Sequence, residues 1–103
     1  SPRENAERET LEETGYRVRA TRLLALYDRA LHPHVPEFPF HAYKAYIQCE
    51  LVGGEAATSN ETDAVGWFML DDLPPLSIAR VTPWQLRRMF ELRDRPEASA
   101  DFD

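Results

Sequence analysis

The sequence is poor in cysteine and in long apolar runs, and each shortage excludes a class of protein. Its 103 residues include a single cysteine, Cys49, so an intramolecular disulfide is excluded and a reducing, cytoplasmic location is expected. Apolar runs such as Leu23 to Leu26 fall far short of the ~20 residues that a membrane-spanning helix needs. We therefore expect neither a disulfide-stabilised scaffold nor a membrane partner.

Basic residues are also in the minority. Twelve lysines and arginines stand against eighteen aspartates and glutamates, which gives a net charge of −6. A general nucleic-acid binder needs a basic stripe that contacts phosphates, so no nucleic-acid partner is expected. The chain, at 11.9 kDa, is long enough for one modest core. We predict one domain over residues 1–95 and a flexible acidic tail over residues 96–103.

Local signals predict a helix at each end of the chain and strands between them. Ser1 as N-cap, Pro2 in the first turn and Gly15 at the exit predict a helix over the first fifteen residues. Thr82-Pro83-Trp84-Gln85 repeats the start signal and predicts a last helix that ends near Arg93. Apolar and polar residues alternate in three predicted strands: one from Tyr16, one over Tyr43 to Val52 and one over Val65 to Leu70. The fold class expected is α/β, in its α+β form.

Three glutamates of the first predicted helix share one face. Glu9, Glu12 and Glu13 stand at i, i+3 and i+4, an arc of about 100° at 3.6 residues per turn. Like charges at this spacing destabilise a helix by a few tenths of a kcal/mol per pair, and a divalent cation reverses that penalty. Carboxylate oxygens suit Mg²⁺ or Mn²⁺. The alternative, taken from the glutamates alone, is a solvated acidic face.

The residues around these glutamates carry a family resemblance. Arg8 to Tyr16, with the sequence RETLEETGY, resembles the second half of the Nudix box, G-x5-E-x7-R-E-U-x-E-E-x-G-U, in which U is apolar. Thr10 departs from the pattern at the first U. The first glycine and glutamate of the box would lie before Ser1, so the resemblance implies that the chain is truncated at its N-terminus.

The resemblance also implies a fold. In Nudix hydrolases the box helix packs on a mixed sheet that is sandwiched between helices, and this chain is expected to lack the first strand or strands. Residues 27–34 and 74–82 are similar to a subgroup that carries a separate N-terminal helical domain. That subgroup includes pyrophosphatases that act on ADP-ribose and CDP-choline.

The resemblance assigns roles to residues one by one. It implies that Glu12 and Glu13 are the principal metal ligands and that Glu9 is a further ligand or the base. Arg8 would orient Glu9 by a charge-assisted hydrogen bond. Glu61 lies in a polar loop and matches an additional metal-binding or basic glutamate of many Nudix enzymes; an exposed loop glutamate is the alternative. Gly15 is expected to let the helix end beside the next strand.

A proline-rich loop before the second strand is a candidate substrate loop. It contains His32, His34 and His41 together with Phe38 and Phe40. Imidazoles can ligate zinc, but no cysteine or acidic residue of metal-site spacing accompanies them. His32, His34, Phe38 and Phe40 are expected to line a substrate pocket against a base or polar head group. Core or dimer contacts for the aromatic residues are the alternative.

The function that the resemblance implies is hydrolysis of a nucleoside diphosphate linked to another group. The products would be a nucleoside monophosphate and the phosphorylated group, with Mg²⁺ or Mn²⁺ as cofactor. Two alternatives stay open, namely a Nudix-fold binding or regulatory module without turnover and a hydrolase that removes nucleoside triphosphates. A homodimer is also consistent with the resemblance.

Overall fold

One three-stranded sheet and two helices make up the described part of the chain. The computed structural model describes residues 1–28, 43–60, 62, 64–74 and 81–102. Its elements, in chain order, are α1 (Pro2–Thr14), β1 (Tyr16–Asp28), β2 (Tyr43–Gly54), α2 (Pro83–Arg93) and β3 (Asp101–Phe102). The predicted α+β fold class is confirmed. Neither of the helices in these ranges is long and apolar enough to cross a membrane.

The sheet is mixed, with β1 in the middle of the order β2-β1-β3. β3 pairs in parallel with the second half of β1. On the other edge, Arg19 forms an ion pair with Glu50, and the Thr21 hydroxyl donates to the carbonyl of Gln48 over 3.1 Å. From the first of these contacts to the second, the residue number rises in β1 from 19 to 21 and falls in β2 from 50 to 48. The strands β1 and β2 therefore run antiparallel.

The chain divides into two compact units. The first contains Ser1–Arg22 and Ile47–Trp67, and therefore carries α1. The second contains Leu23–Tyr46 and Phe68–Asp103, and carries α2 and β3. β1 and β2 each contribute residues to both units.

The hydrophobic core of the second unit lies between β1 and α2. Its buried members are Leu24, Ala25, Tyr27, Met89 and Leu92, with Tyr46 and Ala98 packed against them. Complete burial of a leucine or methionine side chain contributes roughly 1.5–3 kcal/mol, so this small cluster stabilises the packing of α2 on β1.

A capping box begins α2, as the sequence predicts. The Thr82 hydroxyl accepts from the backbone N–H of Gln85 over 3.3 Å, and Thr82 N–H donates to Gln85 Oε1 over 3.1 Å. Gln85 is buried, and its Oε1 also accepts from the Tyr46 hydroxyl over 2.9 Å. The cap therefore ties the start of α2 to β2 as well as satisfying the first turn.

The predicted strand over Val65 to Leu70 is wrong. Residues 64–69 have no regular secondary structure and pair with none of the described strands. Trp67, Phe68 and Met69 are all more than half exposed. An apolar run predicts a strand only when a neighbouring strand offers backbone groups for pairing.

The strand β3 lies within residues 96–103, the segment predicted as a flexible tail. Asp101 lies in β3, and its carboxylate accepts from Arg88 Nε over 2.7 Å and Nη2 over 2.9 Å. The Tyr27 hydroxyl also donates to Asp101, over 3.1 Å. This bidentate ion pair attaches the acidic segment to α2 and β1. The domain boundary at residue 95 stays a prediction.

Candidate functional site

The helix α1 is capped at both ends, and most of its side chains are exposed. The Ser1 hydroxyl accepts from the backbone N–H of Glu4 over 3.2 Å, and Pro2 occupies the first turn. At the exit, Gly15 takes the left-handed conformation, with φ 81° and ψ −7°, and its N–H donates to the Leu11 carbonyl over 3.0 Å. No residue of α1 is buried. The helix therefore presents carboxylates rather than filling a core.

Gly15 joins the end of α1 to the segment after β2, as the sequence predicts. Its carbonyl accepts from Glu55 N–H over 3.2 Å, and the Thr14 carbonyl accepts from Ala57 N–H over 2.8 Å. A Cβ at Gly15 would collide with the Glu55 carbonyl oxygen and lie 2.9 Å from Ala57 N. Only glycine combines this approach with a positive φ. The junction brings the helix beside the loop that follows residue 57.

Three glutamates of α1 and that loop line one polar cavity of about 360 Å³. The lining residues are Glu9, Glu12, Glu13, Ser59 and Asn60. Ser59 and Thr62 hold the loop closed by two backbone hydrogen bonds, of 3.0 and 3.2 Å. Carboxylate, hydroxyl and amide oxygens are the ligands that hard divalent cations prefer.

The charges of the three glutamates are almost uncompensated. Within the described residues Glu9 and Glu13 make no ion pair or hydrogen bond. Glu12 has Arg8 Nε at 3.8 Å, and Arg8 also donates to Asn5 Oδ1 over 2.6 Å. The described structure thus shows Arg8 beside Glu12 rather than Glu9, and the expected role of Arg8 in orienting Glu9 stays a prediction. Adjacent helical residues point about 100° apart, whereas residues four apart lie on the same face.

The donor set fits a divalent cation. Across the described ranges, no three His, Cys, Asp or Glu side chains are already gathered around a point that a metal ion could occupy. Residues three and four apart on a helix have Cβ atoms about 5–6 Å apart, so rotamer changes can bring Glu9 close to Glu12 or to Glu13. Glu9, Glu12 and Glu13 are exposed and free to make that change.

A second, apolar cavity of about 330 Å³ lies in the same unit. Tyr16, Trp67 and Cys49 are among its lining residues. The two aromatic rings are 5.2 Å apart between centroids, and Trp67 Nε1 donates to the Tyr16 hydroxyl over 3.2 Å. Burial, with a smaller contribution from Glu7, raises the pKa of the half-buried Cys49 thiol. The thiol is thus protonated near neutral pH and is not an activated nucleophile.

Sequence reasoning missed one pair of contacts that hold α1. Arg3 Nη1 donates to the Ala20 carbonyl over 2.7 Å, and Ala20 N–H donates to Glu7 Oε2 over 2.8 Å. The only sequence signal was the opposite charge of Arg3 and Glu7 at positions i and i+4, and that pattern predicts an ion pair within the helix. Their shared partner, Ala20 of β1, can be identified only from the fold.

Five predicted site residues lie outside the described residues. They are His32, His34, Phe38, Phe40 and Glu61. Their assignments as a substrate loop and as a further base or ligand stay predictions.

Comparison with known proteins identifies the class to which this arrangement belongs. A family model described as the NUDIX domain matches residues 1–91. The chain belongs to the Nudix family, which agrees with the arginine, three glutamates and glycine that form the face and exit of α1.

One curated protein and two solved structures are similar to this chain. The Bacillus subtilis (strain 168) protein YjhB, provisionally named an ADP-ribose pyrophosphatase, is 42% identical over the whole chain, which covers 49% of that protein. The chain thus spans about half the length of this curated relative. The crystal structure of an ADP-ribose pyrophosphatase from Streptococcus suis 89-1591 matches with 36% identity and a TM-score of 0.84, over 100% of this chain and 72% of that one. That of a UDP-X diphosphatase matches with 29% identity and a TM-score of 0.83, over 100% and 49%.

Proposed function

We propose that this chain carries the metal site of a pyrophosphohydrolase that cleaves a nucleoside diphosphate linked to another group, of the ADP-ribose or CDP-choline type. One observation carries the proposal: Glu9, Glu12 and Glu13 line a single polar cavity with Ser59 and Asn60. Two relatives named for ADP-ribose and one named for UDP-X support a diphosphate substrate over a triphosphate.

The three glutamates of α1 are proposed to bind a cation and to accept a proton. Glu12 and Glu13 are the proposed ligands of Mg²⁺ or Mn²⁺, and Glu9 is a further ligand or the base. A bound divalent cation would neutralise diphosphate charge and lower the pKa of a water molecule. Arg8 Nε lies 3.8 Å from a carboxylate oxygen of Glu12, and Arg8 is proposed to orient a glutamate of the site. Glu61 is retained as a further candidate base.

The reaction requires only water as co-reactant. The oxygen of a water molecule forms a bond to one phosphorus of the diphosphate while its proton passes to a carboxylate of the cavity. The bond between that phosphorus and the bridging oxygen breaks, and the bridging oxygen leaves with the other phosphate. The products are a nucleoside monophosphate and the phosphorylated group. The loop with His32, His34, Phe38 and Phe40 is proposed to contact the base or the linked group.

We also propose a cytoplasmic location and a homodimeric state for the protein. The single cysteine supports a cytoplasmic location. The family resemblance supports a homodimer.

A substrate panel tests the proposed reaction. ADP-ribose, CDP-choline, a UDP-sugar and the nucleoside triphosphates are each incubated with the chain in Mg²⁺ and in EDTA, and products are separated by ion-exchange chromatography. We expect Mg²⁺-dependent release of a nucleoside monophosphate from at least one nucleoside diphosphate derivative. Turnover confined to triphosphates would contradict the substrate class. Binding that survives EDTA without turnover would indicate a binding module.

A further inference from the structure

Two charged side chains of α1 contact both backbone groups of one residue in β1. Arg3 donates to the Ala20 carbonyl over 2.7 Å, and Glu7 accepts from the Ala20 N–H over 2.8 Å. Ala20 is only 3% exposed. Hydrogen bonds to an ionised group are roughly twice as strong as neutral ones. Arg3 and Glu7 are called the Ala20 clamp below.

The clamp lies on the side of α1 away from the polar cavity. At about 100° per residue, Arg3 and Glu7 fall within one narrow arc, roughly opposite the face of Glu9, Glu12 and Glu13. The clamp therefore leaves the three carboxylates exposed while it attaches the opposite face of the helix to β1.

The clamp adds a polar attachment to a helix that contributes no buried residue. Only half-buried residues of α1, such as Thr10 and Thr14, pack against the rest of the unit. Gly15 and Thr14 attach its C-terminal end to residues 55–57. The clamp attaches its N-terminal half. We expect loss of the clamp to loosen the N-terminal half of α1 and to shift its carboxylates relative to Ser59 and Asn60.

We propose that Arg3 and Glu7 are positioning residues of the metal site. They hold α1 at the angle at which its three glutamates and the 59–60 loop face the same cation. This inference rests on the proposed function for the identity of the ligand, but it concerns residues at unspecified (x) positions of the Nudix box and makes a separate prediction about metal affinity.

The test measures Mn²⁺ affinity and hydrogen exchange in matched variants of the chain. Glu7→Ala removes both the charge and the acceptor, Glu7→Gln keeps an acceptor, and Glu4→Ala removes an exposed charge of the same helix that does not contact Ala20. Thr82→Ala, which removes the cap of α2, controls for a general loss of stability. Mn²⁺ dissociation constants come from electron paramagnetic resonance, and Ala20 amide exchange comes from NMR.

We expect Glu7→Ala to weaken Mn²⁺ binding by about tenfold, the lower end of the loss that follows removal of groups that orient metal ligands. The Ala20 amide should exchange at least about tenfold faster in the same variant, because its acceptor is gone. Glu7→Gln should restore most of the Mn²⁺ affinity, since an amide oxygen accepts the same hydrogen bond. Glu4→Ala and Thr82→Ala should bind Mn²⁺ as the unaltered chain does.

The outcomes separate this inference from the proposed function. Equal Mn²⁺ affinity in Glu7→Ala and Glu4→Ala would overturn the inference, as would failure of the unaltered chain to bind Mn²⁺. Weakened Mn²⁺ binding in Glu7→Ala, with no diphosphate hydrolysis by the unaltered chain, would uphold the clamp and overturn the proposed reaction. Metal-dependent diphosphate hydrolysis by the unaltered chain, with equal Mn²⁺ affinity in Glu7→Ala and Glu4→Ala, would do the reverse.

Discussion

At the scale of single residues, Gly15 shows how a local signal and a long-range contact agree. A glycine after a predicted helix indicates a left-handed exit, and Gly15 has a φ of 81°. The sequence could not show that the Glu55 carbonyl and Ala57 approach the same position. Glycine is required there for two independent reasons, of which only the first is readable from neighbouring residues.

Gly15→Val should therefore destabilise the chain. A β-branched residue resists a positive φ, and its side chain would meet the Glu55 carbonyl. We expect a loss of about 2–3 kcal/mol in the free energy of unfolding, measured by urea titration. Gly53→Ala is the control, because nothing lies within 4 Å of its Cβ position and its φ is not positive. Equal losses in the two variants would contradict the role given to Gly15.

Side-chain partners were the least predictable feature at this scale. Arg8 contacts Asn5 and Glu12, although the family resemblance paired it with Glu9. Arg3 and Glu7 contact a strand residue rather than each other. Sequence spacing limits which residues share a face, but rotamers and the neighbouring element decide which atoms meet.

At the scale of secondary structure, elements with strong start signals were predicted and elements that depend on a partner were not. α1 and α2 begin at capping residues that the sequence marks plainly. β3 was missed because two residues carry no periodic pattern, and its position depends on β1 and on Arg88. The run from Val65 to Leu70 has the composition of a strand but lacks a described strand to pair with.

The ion pair that holds β3 should make stability depend on acid pH. Hydrogen bonds from Arg88, with a smaller contribution from Tyr27, lower the pKa of Asp101 in the folded chain. The resulting stabilisation is fully present at pH values above the pKa of Asp101 in the unfolded chain, about 3.9. It is lost as the pH falls through the lower pKa of Asp101 in the folded chain. Asp101→Asn should lower the free energy of unfolding at pH 7 by about 1–2 kcal/mol.

Urea titrations of the unaltered and Asp101→Asn chains between neutral and acid pH check this expectation. The difference between the two chains should shrink as the solution becomes more acidic. Asp94→Asn, which removes an exposed carboxylate paired with Arg93, is the matched control. Parallel stability profiles for the unaltered and Asp101→Asn chains would contradict the role of Asp101.

At the scale of the whole molecule, the candidate site combines one segment that a motif reveals with one that only the fold supplies. Glu9, Glu12 and Glu13 are recognisable from their spacing and from the Nudix box. Ser59 and Asn60 carry no motif, and they join the cavity because the Gly15 junction brings the 55–57 segment beside the helix end. Family membership and the acidic face could therefore be predicted, whereas the cavity could not.

The most direct test of the central claim is ADP-ribose hydrolysis by the unaltered chain and by Glu12→Gln, each in Mg²⁺ and in EDTA. Glu12→Gln removes the charge of a proposed metal ligand from an exposed position, so the free energy of unfolding should be little affected. We predict that Mg²⁺-dependent turnover falls by about a thousandfold or more in this variant and that EDTA abolishes turnover in the unaltered chain. Equal turnover by the two chains in Mg²⁺ would contradict the assignment of the α1 glutamates to the metal site.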